Sequence, residues 1–248
     1  MKFAVSDFDR TLYIDGWISP ENIGAMNKWQ AAGNLFAIAT GRNEASLHGF
    51  LENYSLKPDY LILNNGALIL DKTGKELFCR TIDDSTAQEV LWFLHGLGDE
   101  GSGVSMRKTK VNVLSGSGTT TQKPCRGQVT IDQIHDLKEI LQIHRRRKDV
   151  LWIKELCARL NAMFPLISAY ANVWNGDIVA KGVNKSAAVD WIVRLWGGFD
   201  EIRVIGDSAN DLQMIKDYGG AAMQQADPEV RAAAAMVVRA VADYLTMT

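Results

Sequence analysis

The stretch Asp7-Phe8-Asp9-Arg10-Thr11-Leu12 sets two carboxylates two residues apart, directly after the short apolar run Phe3-Ala4-Val5. If the extended geometry of that run persists, the alternation of side chains aims both acids the same way. Two crowded carboxylates repel unless a cation or a shared proton offsets them. A hard divalent ion with oxygen ligands, most simply Mg2+, meets that need. Taken alone, the stretch could equally be an Asp-rich turn after a strand. Three later apolar runs alter the balance, because each also ends in polar residues.

Leu35 to Ala39 leads into Thr40-Gly41-Arg42, Tyr60 to Leu63 into Asn64-Asn65-Gly66-Ala67, and Glu201 to Ile205 into Gly206-Asp207-Ser208-Ala209-Asn210-Asp211. In open α/β sheets, ligands bind beyond the carboxyl ends of the strands. That rim would collect Asp7, Asp9, Asp207 and Asp211 for a cation. It would also collect a hydroxyl, backbone N–H groups and Lys185, at the start of a later helix, for an anion. The combination suits phosphoryl transfer, in which catalysis is mostly positioning and charge stabilisation. One aspartate would attack phosphorus and form an aspartyl-phosphate. No GxxxxGK[ST] loop is present to hold the phosphate in the other common way.

The elements that must position these residues follow a simple grammar. Ser19-Pro20 starts a helix reaching Ala32, and a second spans about Glu44 to Tyr54. Strand, helix, strand, helix, strand is the order of a doubly wound parallel sheet, a Rossmann-like α/β fold. A hairpin follows, Leu68 to Leu70 with Glu76 to Arg80. The middle of the chain lacks this alternation. Helices fit Ser85 to Leu97, Asp132 to Arg146 and Val150 to Met163. Strands fit Val104 to Leu114, and a hairpin fits Leu166 to Ala180. Ser115 to Gly127 reads as a loop. After Asn184 the first grammar resumes, ending in a short strand, Gly220 to Met223, and a helix from Asp227-Pro228-Glu229. One core domain, 1–82 plus 178–248, is therefore split around an inserted α+β domain, 83–177.

Composition sets bounds on function. The 248 residues are 47% hydrophobic and 23% charged, with a net charge of -2, which gives no electrostatic case for nucleic acid. The run Arg145-Arg146-Arg147-Lys148 reads as a solvated helix end. Cys79, Cys125 and Cys157 lack a CxxC pair and suggest reduced thiols in a cytoplasmic protein. The four histidines show no zinc spacing. There is no signal-peptide pattern and no apolar run near the roughly 20 residues that span a bilayer.

The motifs then resemble a known family. Asp7 to Leu12 is similar to the DxDGT[LV] motif of the haloacid dehalogenase (HAD) superfamily. Ala39-Thr40-Gly41-Arg42, Lys185 and Gly206 to Asp211 resemble its other three motifs, in order. Asn64 to Ala67, Gly182-Val183-Asn184-Lys185 and the Ala222 to Ala234 tail resemble the Cof-like branch with a type IIB cap. The resemblance implies Asp7 as nucleophile and Asp9 as general acid/base. It implies Mg2+ held by Asp7, the Asp9 backbone carbonyl and Asp207, with Asp211 orienting the metal's waters or Lys185. Thr40 and Gly41 would bind phosphoryl oxygens, Lys185 would neutralise Asp7 and the transferring group, and Asn210 would sit near the phosphate. Arg42 and Asn65 complete the candidate substrate-binding set. The inserted domain would close over the site and select the leaving group.

Two positions depart from the family pattern. Arg10 replaces a glycine, and is read as a solvated turn residue ahead of a cation near the metal. Gln225 stands where Asn is usual, with little consequence expected. Lys185, not Lys181, fits the third motif. In the insert, Tyr170, Asn172 and Trp174 could face substrate or simply pack. Arg107, Lys108 and Lys110 could read a second anionic group or be a solvated edge.

The reading is a Mg2+-dependent phosphatase acting on a small phosphorylated metabolite, expected to be a sugar phosphate. The expected protein is cytoplasmic, a monomer or weak homodimer, without nucleic-acid or membrane partners. A hexose-phosphate mutase type of phosphotransferase, or a catalytically silent binding module on this fold, are the alternatives.

Overall fold

The computed structural model describes residues 1–98, 101–107, 109–114 and 127–247. Two compact units emerge, Met1–Phe78 with Asn184–Thr248, and Cys79–Val183.

In the first unit, β1 (Lys2–Asp7) lies inside an eight-stranded sheet. Its neighbours, β2 (Leu35–Ala39) and β12 (Glu201–Gly206), both run parallel to it. Strand β3 (Tyr60–Leu63) extends the parallel set beyond β2. The last two strands on that side, β4 (Leu68–Asp71) and β5 (Glu76–Cys79), form the expected hairpin, with β4 antiparallel to β3. Beyond β12 lie β13 (Ala221–Met223) and β14 (Met236–Val238), again parallel. Central parallel strands are covered on both faces, which is why they read as continuous apolar runs. Phe3, Val5, Ala37, Ile62 and Val204 pack with Val189 and Ile192 of α5 (Lys185–Trp196) in one buried cluster.

Helix starts follow their capping residues. Ser19 accepts the Asn22 N–H at 3.2 Å to open α1 (Pro20–Ala31), and Asn43 accepts that of Ser46 at 3.0 Å to open α2 (Glu44–Asn53). Asn184 accepts the Ala187 N–H at 2.7 Å and opens α5. Strand β14 and a final helix, Val241–Thr246, carry no expectation from the sequence.

The second unit holds a separate six-stranded sheet. It contains β6 (Ser102–Met106), β7 (Lys110–Val113), β8 (Gln128–Val129), β9 (Ile140–Arg146), β10 (Ile167–Asn172) and β11 (Asn175–Ala180). It is antiparallel except where β8 meets β7. Two helices accompany it, α3 (Asp84–Gly96) and α4 (Val150–Met163).

The helix expected over Asp132 to Arg146 is absent. Ile131–Asp136 forms a 3-10 segment, and the chain then enters β9 between β6 and β11. Ile134, Leu137, Ile140, Leu141 and Ile143 mimic a helical stripe. The register instead puts Gln142 and His144 on one face, with Ile143 and Arg145 on the other. Arg145 is correspondingly not a solvated helix end. It is buried, with its guanidinium donating to the Gly98 carbonyl and to Ser102 Oγ. The expected loop over Ser115 to Gly127 lies, apart from Gly127, outside the described residues, as do Lys108 and Cys125. Cys79 is half-buried and Cys157 buried, and neither forms a disulfide among the described residues. No helix among the described residues is long and apolar enough to cross a membrane.

Candidate active site

Strand β1 delivers Asp7 to its carboxyl end, and Ser6 Oγ donates to the Asp7 carbonyl at 2.7 Å. The chain then turns tightly. The N–H groups of Leu12 and Tyr13 converge on the Phe8 carbonyl at 3.0 and 2.8 Å, and Arg10 adopts a left-handed φ of 63°. Strand β12 delivers Asp207, and the loop Asp207 to Asp211 leads into α6 (Leu212–Tyr218). Gly206 is required there, because a Cβ would lie 2.7 Å from Asp211 Oδ2 and closer still to its Cβ and Cγ.

Helix α5 supplies Lys185 from its first turn. Its Nζ donates to Asp7 Oδ1 at 2.6 Å and to Asp211 Oδ1 at 2.7 Å, and the residue is only 1% exposed. The other oxygen of Asp211 accepts the N–H groups of Asp207 and Ser208, both at 3.1 Å. Asp211 thus orients the ammonium and ties down the loop that carries Asp207. Thr11 Oγ1 donates to Asp207 Oδ1 at 3.4 Å.

Thr40, at the end of β2, is buried, and its Oγ1 accepts the Arg42 N–H at 3.1 Å. That leaves the hydroxyl proton for an incoming oxyanion. The loops after β2 and β3 are stitched together, since Asn65 N–H donates to the Thr40 carbonyl and Asn64 N–H to that of Arg42. Asn64 and Asn65 both hold left-handed φ values, 50° and 56°. Asn210 Nδ2 donates to Asn65 Oδ1 at 2.9 Å, and its own Oδ1 accepts Ser208 Oγ at 2.8 Å. Asn65 and Asn210 therefore meet across 145 residues of chain. Gly41 sits between Thr40 and Arg42 in the same loop.

Asp9 stands apart. Its side chain is 46% exposed, and Arg42 grips both carboxylate oxygens, at 2.7 and 2.6 Å. The Arg42 guanidinium lies 4.6 Å from the Phe50 ring centroid, which fixes the fork in place. The chain turns after Asp7, where β1 ends, so Asp9 lies beyond the strand in the turn itself.

Arg10 is not the solvated turn residue expected of it. Its Nε lies 3.0 Å from Asp207 Oδ2. Thr11 and Ser208 join the site as well, with no role expected of either from the sequence. Both are hydroxyl residues inside the motifs, and that position was the available signal.

Charge is out of balance here. Burial pushes the Asp7 carboxyl well above its usual range, with Lys185 opposing and Asp211 and Asp207 adding. Burial likewise lifts Asp207 to about 7, with Asp211 adding and Arg10 opposing. Burial works against the charge on Lys185, but Asp211 and Asp7 hold its pKa above the ordinary value. One oxygen each from Asp7, Asp207 and Asp211 lies within 4.8 Å of the others. Asp7 Oδ2 and Asp207 Oδ2 are buried without a hydrogen-bond partner. Oxygen donors, excess negative charge and orphaned carboxylate atoms fit a hard divalent cation.

Residues 4–243 match the family described as haloacid dehalogenase-like hydrolase. The chain belongs to that family. It is 28% identical over 251 residues to a 5-amino-6-(5-phospho-D-ribitylamino)uracil phosphatase, YcsE, of Bacillus subtilis, covering 100% of this chain and 90% of that one. It is 25% identical over 257 residues to an HMP-PP phosphatase of Serratia proteamaculans, covering 93% and 86%. A shorter match, 35% identical over 99 residues, joins 38% of this chain to 37% of an uncharacterized protein of Mycoplasma capricolum subsp. capricolum. Among solved structures, the HAD subclass IIB sugar phosphatase BT4131 superposes with a TM-score of 0.80 at 24% identity, over 98% of this chain and 95% of that one. The chain is thus a haloacid dehalogenase-like hydrolase with the fold of the subclass IIB structure, in which the second sheet is the inserted cap.

Proposed function

We propose that this chain is a Mg2+-dependent phosphatase that hydrolyses a small phosphorylated metabolite of the sugar-phosphate class through an aspartyl-phosphate on Asp7. The observation that carries the reading is the buried Asp7–Lys185–Asp211 network beside Asp207, with Asp7 Oδ2 left without a partner. Asp7, Asp207 and the Asp9 backbone carbonyl would hold the cation. When bound, Mg2+ would offset the negative charge of the phosphoryl group and of the carboxylates that face it.

The remaining chemistry belongs to the chain's own residues. An Asp7 carboxylate oxygen attacks phosphorus while the bond from phosphorus to the substrate oxygen breaks. Asp9 donates a proton to that departing oxygen. Water then attacks the phosphorus of the acyl phosphate, Asp9 takes up its proton, and the bond to Asp7 breaks to release phosphate. Lys185 opposes the burial that disfavours an ionised Asp7 and neutralises charge on the transferring group. Thr40, the Gly41 amide, Asn65 and Asn210 orient the phosphoryl oxygens. Arg42 sets the direction of Asp9 through their paired contact. The phosphatase assignment draws support from the phosphatases this chain is similar to, and the sugar-phosphate class from the sugar phosphatase whose fold it shares.

The test is phosphate release from sugar phosphates, nucleotides and pyridoxal phosphate, in Mg2+ and in EDTA, with wild type and Asp7→Asn. Release that needs both Mg2+ and Asp7 is the expected result. Activity that survives Asp7→Asn would overturn the mechanism. A phosphoenzyme that hands its phosphoryl group to a second sugar rather than to water would convert the reading to a mutase.

A further inference from the structure

The two positions that depart from the family motifs touch each other. Gln225 Nε2 donates to the Arg10 carbonyl at 2.6 Å, and Arg10 Nη2 donates to the Gln225 carbonyl at 3.4 Å. This exchange spans 215 residues of chain. It holds the Arg10 side chain over the carboxylates. Nε is 3.0 Å from Asp207 Oδ2, and Nη2 is 3.6 Å from Asp227 Oδ1. The two acids differ in setting. Asp207 is buried at 1% exposure of its side chain, whereas Asp227 is 42% exposed. The Arg10 backbone is fixed as well, in the left-handed region, with its N–H on the Tyr13 carbonyl at 2.8 Å.

We infer that Arg10 is a built-in counter-cation of the metal site, competing with the divalent ion for Asp207 and retreating toward Asp227 and Gln225 when the ion binds. The inference rests on the metal reading above and extends it to a residue with no role there. The physical argument is one of occupancy. Asp207 Oδ2 has no hydrogen-bond donor, so the guanidinium faces it as a charge without an aligned N–H. A cation with oxygen affinity needs that same atom. Arg10 is 41% exposed, so it can move away without being drawn out of a packed interior. Asp227 then supplies a second carboxylate along the route. The consequence is a weaker ion affinity and a more stable ion-free protein than a neutral side chain would give.

Mg2+ binding to the intact protein, measured by calorimetry without substrate, tests this. Thermal unfolding in EDTA and in Mg2+ provides the second readout. Arg10→Gln keeps a Cβ at the left-handed position, so backbone strain is not changed as it would be by glycine. A half-exposed ion pair contributes about 1 kcal/mol, equivalent to roughly a fivefold change in affinity. Arg10→Gln should therefore bind Mg2+ about fivefold more tightly, melt lower in EDTA and gain more from Mg2+. Asp227→Asn removes the second anchor and should weaken Mg2+ binding. Unchanged or weaker affinity in a folded Arg10→Gln protein would overturn the inference. Should that variant fail to fold, Asp227→Asn binding as tightly as wild type would overturn it alone. Wild type that binds no Mg2+, or Asp207→Asn that binds it equally well, would instead bring down the metal reading and this inference with it.

Discussion

At the scale of single residues, the decisive feature is a lysine that two acids share. Lys185 satisfies Asp7 at 2.6 Å and Asp211 at 2.7 Å, with all three side chains nearly excluded from water. Removing one partner from a buried ion pair typically costs about 3–5 kcal/mol, because the remaining charge is left uncompensated. Lys185→Met should therefore lower the unfolding free energy by an amount in that range, read from urea denaturation, and abolish phosphate release. Asp7→Asn should abolish release too, yet at a much smaller cost in stability, since an amide still accepts from Lys185. Equal losses of stability in the two variants would contradict this division. Asp9 and Arg42 were assigned separate tasks from the sequence, one in acid/base chemistry and one in substrate binding. Their bidentate contact means that Arg42→Lys should also disturb Asp9, because an ammonium cannot reproduce the fork. A kcat loss with little change in KM would distinguish that from a loss of substrate binding.

At the scale of elements, placement of Lys185 depends on how α5 meets the turn after β3. Gly66 has φ of 103°, and a Cβ there would strike the Asn184 carbonyl and approach Ala188 Cβ to 3.2 Å. Asn184 caps the helix that begins with Lys185. Gly66→Ala should destabilise the fold by about 1–3 kcal/mol, as a strained backbone position does, and should lower kcat by shifting α5. Unfolding and kinetics on the same preparation check it, and normal values for both would refute it. The elements that carry the site were readable because their signals are local. Buried parallel strands are continuous apolar runs, and Ser19, Asn43 and Asn184 announce helix starts by their own side chains. What escaped was set by partners distant in the chain. Ile140 to Arg146 is a strand because β6 and β11 flank it, although its apolar spacing imitates a helix. Arg10 escaped for the same reason, since Asp207, Gln225 and Asp227 reach it only in the folded chain. Nothing near Arg10 in sequence distinguishes a solvated turn from the partner of a buried carboxylate.

At the scale of the whole molecule, the two units respond to pH in opposite directions. In the first, Asp207 moves from 3.8 to about 7 chiefly through burial. A carboxyl whose folded pKa is raised contributes stability that is present below about 4 and is lost as pH rises through about 7. In the cap, burial, with Lys110 and Arg146 adding, lowers His144 from 6.5 to about 4. The folded cap then holds this ring neutral where the unfolded chain would bind a proton, so its stability falls as pH drops from about 6.5 toward 4. The ring lies against its own sheet, since β6 offers Gly103 opposite it and a Cβ there would collide with the imidazole. Hydrogen exchange in EDTA, corrected for the intrinsic rate at each pH, separates the two. Between pH 7 and pH 5, amides of β6 and β9 should lose protection while those of β1 and β12 gain it. His144→Phe should flatten the response in the cap only, and Asp207→Asn in the core only. Added Mg2+ should flatten the core response as well, because a bound cation takes over the compensation that the proton supplies to Asp207 at low pH. A uniform change across both sheets would show that neither buried group governs its unit.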